Sequence, residues 1–564
     1  MRWMLPPECR ETARELARQL GITEPASRVL IRRGYNTEEQ ATRFLWPNIA
    51  DLHSPALLKT LPDGARRLNQ AIRDGERILL YGDYDVDGTM AVVILTKAIE
   101  VCGGKSEFHV PHRLKEGYGM RPEIVERAAA EGVRLIVSVD TGIRAGEVVC
   151  HATALGIDVI VTDHHLPEAH LPPALAVVNP NRPDCDYPNK NLCGAGVAFK
   201  LAQAVMELQG WSEAKLRRML DSFLKLVALA TVADVVSLTG ENRAIVKLGL
   251  ESFTEVRNIG LKELLRVAGI PEGQIPTARQ VGFQIGPRIN AAGRMESARM
   301  VVELFLTSDP ARAAAIADEL DALNKDRRDT EKRILEEILD SVGEPTHGLV
   351  LAGEKWHRGV VGIVASRVVD RFYRPTFVLE IDREKGIAAG SGRSIPPFHL
   401  LQALEAMPEL FDKFGGHSHA AGVTLTIDRL EEFKTRFTTY AEQLLTSADL
   451  ERELRLDAVI DPGEMNARSA ADLFSLAPFG MDNAPPVLMV AGATIESSKP
   501  MGESGKHFKI CLEGQRGRLF VKAWNFEERL EEIATGSRVD AAVCIEEDDY
   551  WGWSATLREV RPAA

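Results

Sequence analysis

The 564 residues exceed what one hydrophobic core organises, so two to four domains are expected. A hydrophobic content of 45% and a charged content of 26% are those of an ordinary soluble protein, and no stretch reaches the length of a membrane span. The net charge of −13 disfavours wrapping a duplex electrostatically but leaves room for a narrow basic groove.

Residues 1–75 read as a helical preface that closes at Gly75-Glu76. Residues 76–240 alternate strand and helix. The apolar run Arg77–Gly82 ends in Asp83-Tyr84-Asp85-Val86-Asp87-Gly88, and a helix follows from Gly88-Thr89. Leu135–Val139 ends in Asp140-Thr141-Gly142, and Asp158–Thr162 ends in Asp163-His164-His165. Ala176–Asn179 is a short fourth strand, and the mostly apolar stretch Phe223–Val232 runs into Ala233-Asp234. Continuous apolar runs of this length are strands buried on both faces of a parallel sheet, so the fold class is α/β. Residues 241–345 form a helical connector. Within it Ser308-Asp309-Pro310 opens a long charged helix, to about Val342, of the kind that bridges domains. Residues 346–446 form a second α/β unit. Its strands are Gly348–Leu351 and Thr376–Glu380, a helix follows Trp356-His357-Arg358-Gly359, and two glycine-rich turns occupy 389–394 and 414–422. Residues 451–564 change to short alternating strands, clearest at Phe508–Leu512 and Leu519–Trp524, which predicts a small OB-like β-barrel.

Ligands of a parallel sheet bind at the carboxyl ends of its strands, so these carboxylates and the two histidines converge on one crevice. They repel one another unless cations lie between them. Carboxylate plus imidazole suits Mn²⁺ or Mg²⁺. Asp83, Asp85 and Asp87 are spaced by two and point to one side of an extended segment. His164 and His165 are adjacent and point to opposite sides. One imidazole then serves a metal, and the other faces a substrate phosphate or orients its neighbour. Arginines supply the phosphate grip. Arg113 lies in the segment 111–119 with Tyr118, Arg288 and Arg294 flank Asn290, and Ser391 and Arg393 occupy the first glycine turn. His417 and His419 occupy the second. Tyr550, Trp551 and Trp553 either stack bases on the barrel or fill its core.

Asp-Tyr-Asp-Val-Asp-Gly, Val-Asp-Thr-Gly, Thr-Asp-His-His and Ala-Asp-Val-Val resemble, in order, the four motifs of the DHH phosphoesterase superfamily. Gly415–Gly422 is similar to the glycine-histidine motif of its accessory domain, DHHA1. The segment Gly286–Arg294, the chain length and the terminal barrel narrow the resemblance to the bacterial single-strand-specific exonucleases of that superfamily. It covers nearly the whole chain. It implies a DHH catalytic domain at 76–240 and a DHHA1 domain at 346–446. The implied activity is 5′→3′ hydrolysis of single-stranded DNA to 5′-mononucleotides, in repair and recombination, with two Mn²⁺ or Mg²⁺ ions. Such ions, about 3.5–4 Å apart, activate water and stabilise the leaving oxygen without a covalent intermediate.

By the same resemblance Asp140 bridges the ions, Asp83 and Asp85 serve one, and Asp87, His164 and Asp234 serve the other. His165 contacts phosphate and completes the catalytic set with Asp140 and His164. Arg113, Ser391 and Arg393 form a 5′-phosphate pocket, and Arg288 and Arg294 hold the strand further along, with Tyr118, Asn290, His417 and His419 among the substrate contacts. Some branches carry a histidine upstream of the first aspartates where this chain has Tyr81, so its first ligand set departs from that pattern. The family also implies a monomer whose partners are a single-strand-binding protein and a helicase. Seven scattered cysteines with no Cys-x-x-Cys, and an N-terminus without an apolar signal core, point to the cytoplasm and away from a zinc or disulfide framework. Two rivals stand beside this reading. A phosphodiesterase of short oligonucleotides or cyclic dinucleotides would not need the long chain and the barrel. A non-catalytic single-strand-binding scaffold would not keep acids at all four motifs, since unpaired carboxylate clusters are costly.

Overall fold

The computed structural model describes residues 1–6, 9–113, 115–117 and 119–563. Arg77–Tyr81 (β1) is buried beyond its first residue and lies between Ser106–His109 (β2) and Val133–Val139 (β3). Asp158–Thr162 (β4) and Ala176–Val178 (β5) complete a sheet of order β2-β1-β3-β4-β5, parallel throughout. Helix α1 (Val86–Val101) is buried almost all round, because it lies between the sheet and helices α2 (Gly194–Leu208) and α3 (Glu213–Ala233). The other face of the sheet carries Met120, Val125, Val149 and Ala152. Strand β2 is a fifth strand that sequence pattern does not reveal. It is an edge strand, half-exposed and carrying Ser106, Glu107 and His109 rather than an apolar run.

After α4 (Gly286–Met295), Asp309 accepts a hydrogen bond from the Ala311 amide at 2.9 Å and starts helix α5 (Pro310–Ser341), close to the expected bounds. The second sheet contains β6 (Leu349–Glu354), then helix α6 (Arg358–Phe372), β7 (Thr376–Asp382), β8 (Ile387–Arg393), β9 (Lys413–Gly416) and β10 (Ala420–Thr426). Its order is β9-β10-β8-β7-β6, with only β6 and β7 parallel. Ile334 and Ile338 of α5 pack into the same cluster as Val360, Val361 and Val364 of α6. Two expectations are corrected here. Residues 389–394 are mostly strand and 414–422 span a hairpin, so neither is simply a turn. The glycines lie in close-packed strands, and Gly392 lies against the Phe377 ring.

The C-terminal unit is a closed five-stranded barrel: β11 (Val487–Met501), β12 (His507–Glu513), β13 (Arg518–Ala523), β14 (Arg538–Asp548) and β15 (Gly552–Pro562). The ring closes in the order β11-β12-β13-β15-β14, with β14 pairing back onto β11. The N-terminal segment is not one preface. Leu16, Val29, Leu30, Phe44 and Leu45, from its first three helices, share a core with the barrel. Arg2–Met4 pairs in parallel with Glu453–Arg455. Leu61–Asp74 instead packs on the first sheet. Buried Arg243 joins these parts: Nε donates to the Phe44 carbonyl at 2.6 Å and Nη2 to the Ala477 carbonyl at 2.8 Å. Among the described residues no helix is long and apolar enough to cross a membrane.

Candidate metal centre and strand groove

The carboxyl ends of β1, β3 and β4 and the end of α3 bring seven acidic and imidazole groups together. Asp83, Asp85 and Asp87 arrive differently from the expectation. The chain leaves β1 in a turn, Asp85 caps α1 by accepting from the Gly88 amide at 3.0 Å, and Asp87 lies in the first helical turn. They converge because a turn folds them together, not because an extended segment alternates. Both Asp87 oxygens accept backbone N–H groups from the start of α2, Gly194 at 2.6 Å and Ala195 at 2.7 Å. Asp140, buried at the end of β3, adopts a left-handed backbone with φ of 60°. Strained non-glycine conformations of this kind gather at functional sites. A Cβ on Gly194 would fall 2.6 Å from the Asp140 Cβ, so only glycine lets α2 approach this closely.

His164 and His165 do not point to opposite sides. Beyond Thr162 the chain has left the strand, and the rings lie 4.5 Å apart between centroids. Asp163 shapes this turn. Oδ1 accepts from both histidine amides and bonds the His165 ring Nδ1 at 2.7 Å, while Oδ2 accepts from the Ile143 amide. Burial pushes the Asp163 carboxyl up, but His165, then His164 and the Ile143 amide, outweigh it and hold it below the ordinary range. Burial lowers His164, keeping it neutral and able to donate a lone pair. Burial also opposes charge on His165, yet Asp163 raises it overall.

His164 Nε2 lies 3.2 Å from Asp140 Oδ1 and 3.7 Å from both Asp87 Oδ2 and Asp234 Oδ2. Three sets of groups each bring their ligand atoms within 4.8 Å of one another: Asp83, Asp85 and Asp140; Asp87, His164 and Asp234; Asp140, His164 and His165. Burial, then the neighbouring carboxylates, pushes Asp83, Asp140 and Asp234 well above the usual range. Asp83 Oδ1, Asp234 Oδ2 and His164 Nε2 are buried and make no hydrogen bond among the described residues. Buried lone pairs facing one another without donors fit divalent cations, and the O/N donor set suits Mn²⁺ or Mg²⁺. Tyr81 is fully buried; its hydroxyl donates to the Gly119 carbonyl at 3.3 Å and burial pushes its pKa far up, so it is a neutral phenol and no substitute for an imidazole ligand.

Arginines surround this centre. Arg113 stacks on Tyr84 with its guanidinium 5.0 Å from the ring centroid. Burial, then the charges of Arg113, Arg327 and Arg393, pushes Arg294 down to about 9, which places four arginines in one field. Arg393 Nη1 donates to Ser391 Oγ at 2.7 Å. The first turns of α6 lie against this pair, since a Cβ on Gly362 would fall 3.2 Å from the Arg393 guanidinium and 3.3 Å from Ser391 Oγ. The second turn of α6 thus backs a guanidinium and a hydroxyl, two groups suited to phosphate. Partial desolvation, then the charges of Arg144 and His165, lowers His417 in the β9–β10 loop.

Among the described residues, the other expected substrate contacts have partners within the chain. Arg288 is held by Asp321 of α5 at 2.8 Å and by the Gln284 carbonyl. Asn290 Oδ1 accepts from the Val86 amide at 3.2 Å, beside the Asp85 cap. The His419 carbonyl accepts from the Ser394 amide. Tyr118 lies outside the described residues. Sequence reasoning placed Asp163 in the crevice but missed its role in orienting the histidines, and it missed Arg144, Arg327 and the packing of α6 on Arg393. On the barrel, Tyr550 and Trp551 are 82% and 72% exposed, whereas Trp553 packs against the core. A second exposed group was missed on β12 and β13: Phe520, with Lys509 Nζ 5.0 Å from its ring centroid, and Trp524 edge-on to His507.

Three family models match the chain in order: the DHH family N-terminal domain at residues 77–231, the DHHA1 domain at 346–443 and the RecJ OB domain at 456–556. The chain is 38% identical over 544 residues to the single-stranded-DNA-specific exonuclease RecJ of Bacillus subtilis, covering 96% of this chain and 68% of that protein. Its fold is similar to crystal structures of Thermus thermophilus RecJ. The Mn²⁺ complex aligns with a TM-score of 0.84 at 30% identity, covering 100% of this chain and 80% of that one. The Mg²⁺ complex aligns with a TM-score of 0.79 at 29% identity, covering 100% and 79%. With the DHH, DHHA1 and RecJ OB domains following one another along the chain, and the acidic crevice in the first of them, the chain belongs to the RecJ family of DHH phosphoesterases.

Proposed function

We propose that the chain is a 5′→3′ exonuclease that degrades single-stranded DNA to 5′-mononucleotides with two Mn²⁺ or Mg²⁺ ions, in repair and recombination. The observation that carries this reading is the pair of ligand sets that meet near Asp140 beneath a cluster of arginines. Asp83, Asp85 and Asp140 would hold one ion, and Asp87, His164 and Asp234 the other, with Asp140 close to both. Bound as a pair, such ions activate water and stabilise the leaving oxygen. His165, kept protonated toward Asp163, faces phosphate. Arg113, Ser391 and Arg393 hold a 5′-terminal phosphate, and Arg294 the backbone behind it. We place the chain in the cytoplasm as a monomer working with a single-strand-binding protein and a helicase. Incubation with Mn²⁺ and end-labelled single and double strands tests this reading. Stepwise release of mononucleotides from 5′ ends of single strands is expected, and release from 3′ ends or internal cuts would overturn it.

Metal and protons compete for the same carboxylates, which gives a measurable sign. An aspartate held above its ordinary value of 3.8 favours the fold only while protonated. That contribution is complete below 3.8 and is lost as pH rises through the folded value. The melting temperature of EDTA-treated protein should therefore fall as pH rises above the ordinary carboxylate range, and the Mn²⁺-induced rise should grow with pH. Calorimetry across a pH series checks this; an Mn²⁺ effect that shrinks with rising pH would contradict the assignment.

The barrel contributes grip downstream. Replacing Phe520 and Trp524 with alanine should weaken binding of long strands by about 1–3 kcal/mol for each stacked base lost, with short oligonucleotides little affected. Fluorescence anisotropy with short and long strands measures the difference, and equal losses on both would remove the barrel from the strand path.

A further inference from the structure

Two loops set the geometry of the centre without supplying all of its ligands. The first, Asn189–Cys193, leads into α2, whose first amides grip both oxygens of Asp87 and whose Gly194 lies against Asp140. The second, Val235–Thr239, follows Asp234 and begins with Val235 in a left-handed conformation, φ 58°. One side chain ties the two loops together. Asn242, fully buried in the first turn of the helix Gly240–Glu251, donates from Nδ2 to the Asn191 carbonyl at 2.6 Å and to the Ser237 carbonyl at 3.0 Å. Its Oδ1 accepts from Asn189 Nδ2 at 2.7 Å. The amide is thus shared between a carbonyl three residues before Gly194 and a carbonyl three residues after Asp234. Both hydrogens and the oxygen of the amide are used, so its orientation is fixed.

Beside it, Glu241 is held by Lys200 at 2.8 Å and by Tyr187, and these are also buried. Glu241 also accepts from Asn189 Nδ2 at 3.3 Å, but it is the Asn242 amide that donates to the Ser237 and Asn191 carbonyls. We propose that Asn242 is a positioning residue that sets the separation between Asp234 and the Asp87–Asp140 pair, and so the affinity of the ion held by Asp87, His164 and Asp234. This rests on the two-ion reading of the site. Without the amide, the Ser237 carbonyl in its buried setting and the part-buried Asn191 carbonyl both lose their donor, and the turn after Asp234 can drift. Asp83 and Asp85, in a separate turn, keep their places, so the loss should fall on one ion only.

The test is Mn²⁺ titration of the full-length protein, with free Mn²⁺ read by electron paramagnetic resonance, for wild type, Asn242→Ala, Asn242→Ser and Tyr187→Phe. Tyr187→Phe removes a hydroxyl from the same buried cluster and controls for simple loss of stability, which melting in EDTA measures. The expected result is two Mn²⁺ sites in wild type and in Tyr187→Phe. Both Asn242 variants should show at least about tenfold weaker binding at one site and no change beyond about twofold at the other, the pattern of a displaced supporting shell. If Asn242→Ala does not fold, Asn242→Ser, whose hydroxyl can serve one carbonyl, carries the measurement. Equal weakening at both sites, or unchanged binding, overturns the proposal. Failure of wild type to bind two ions overturns the two-ion reading itself.

Discussion

Asp140→Asn is expected to reduce hydrolysis by more than about a thousandfold while raising the melting temperature of the metal-free protein, the scale and sign of losing a principal electrostatic group from a strained, charge-crowded site. Asp140 is buried, lies within reach of both ligand sets and carries a carboxyl pushed well above its usual range by burial and four other aspartates. Asparagine removes that repulsion and tolerates the backbone φ of 60°, so the fold survives the exchange. Single-turnover cleavage at saturating Mn²⁺, with melting curves in EDTA, separates the two effects. A variant that keeps near-normal turnover would show that Asp140 is not shared by the ions.

Arg393→Ala is expected to slow cleavage of 5′-phosphorylated strands roughly tenfold to a hundredfold more than that of 5′-hydroxyl strands, the equivalent of about 1.5–3 kcal/mol for a charge-assisted contact. The guanidinium is already oriented by Ser391 Oγ and the Gly392 carbonyl, and Gly362 of α6 backs it. Arg393→Lys should restore little, because the planar fork and not the charge alone matches phosphate. Comparing kcat/KM for the two strand types measures this. Equal losses on both would remove Arg393 from the terminal-phosphate pocket.

The parallel sheet was legible because its central strands are apolar on both faces, and the acidic cluster because it falls where those runs stop. Strand β2 was not, because an edge strand tolerates Ser106, Glu107 and His109. The convergence of Asp83, Asp85 and Asp87 was read correctly but from the wrong local geometry: helix capping by Asp85, not strand alternation, brings them together. The same limit hid the side-by-side rings of His164 and His165, which depend on Asp163 bending the chain. Arg288 and Asn290 look alike as strand-binding candidates in sequence, yet one is taken by Asp321 and the other caps α1. Long-range partners of this kind leave no periodic trace. Nor does the union of the first helices with the barrel, whose contributors are separated by most of the chain.

That union imposes an order on synthesis. Leu16, Val29, Leu30 and Phe44 emerge from the ribosome well before Ala458, Leu488 and Val490, which share their core. At about 5–20 residues per second, the roughly four hundred intervening residues leave these apolar faces waiting on the order of 20–80 s. The DHH and DHHA1 sheets can close during that interval, since their cores draw on residues between. The newborn chain therefore carries a sticky early segment past two finished domains before the barrel strands arrive, and a chaperone that binds short amphipathic helices would find its substrate there.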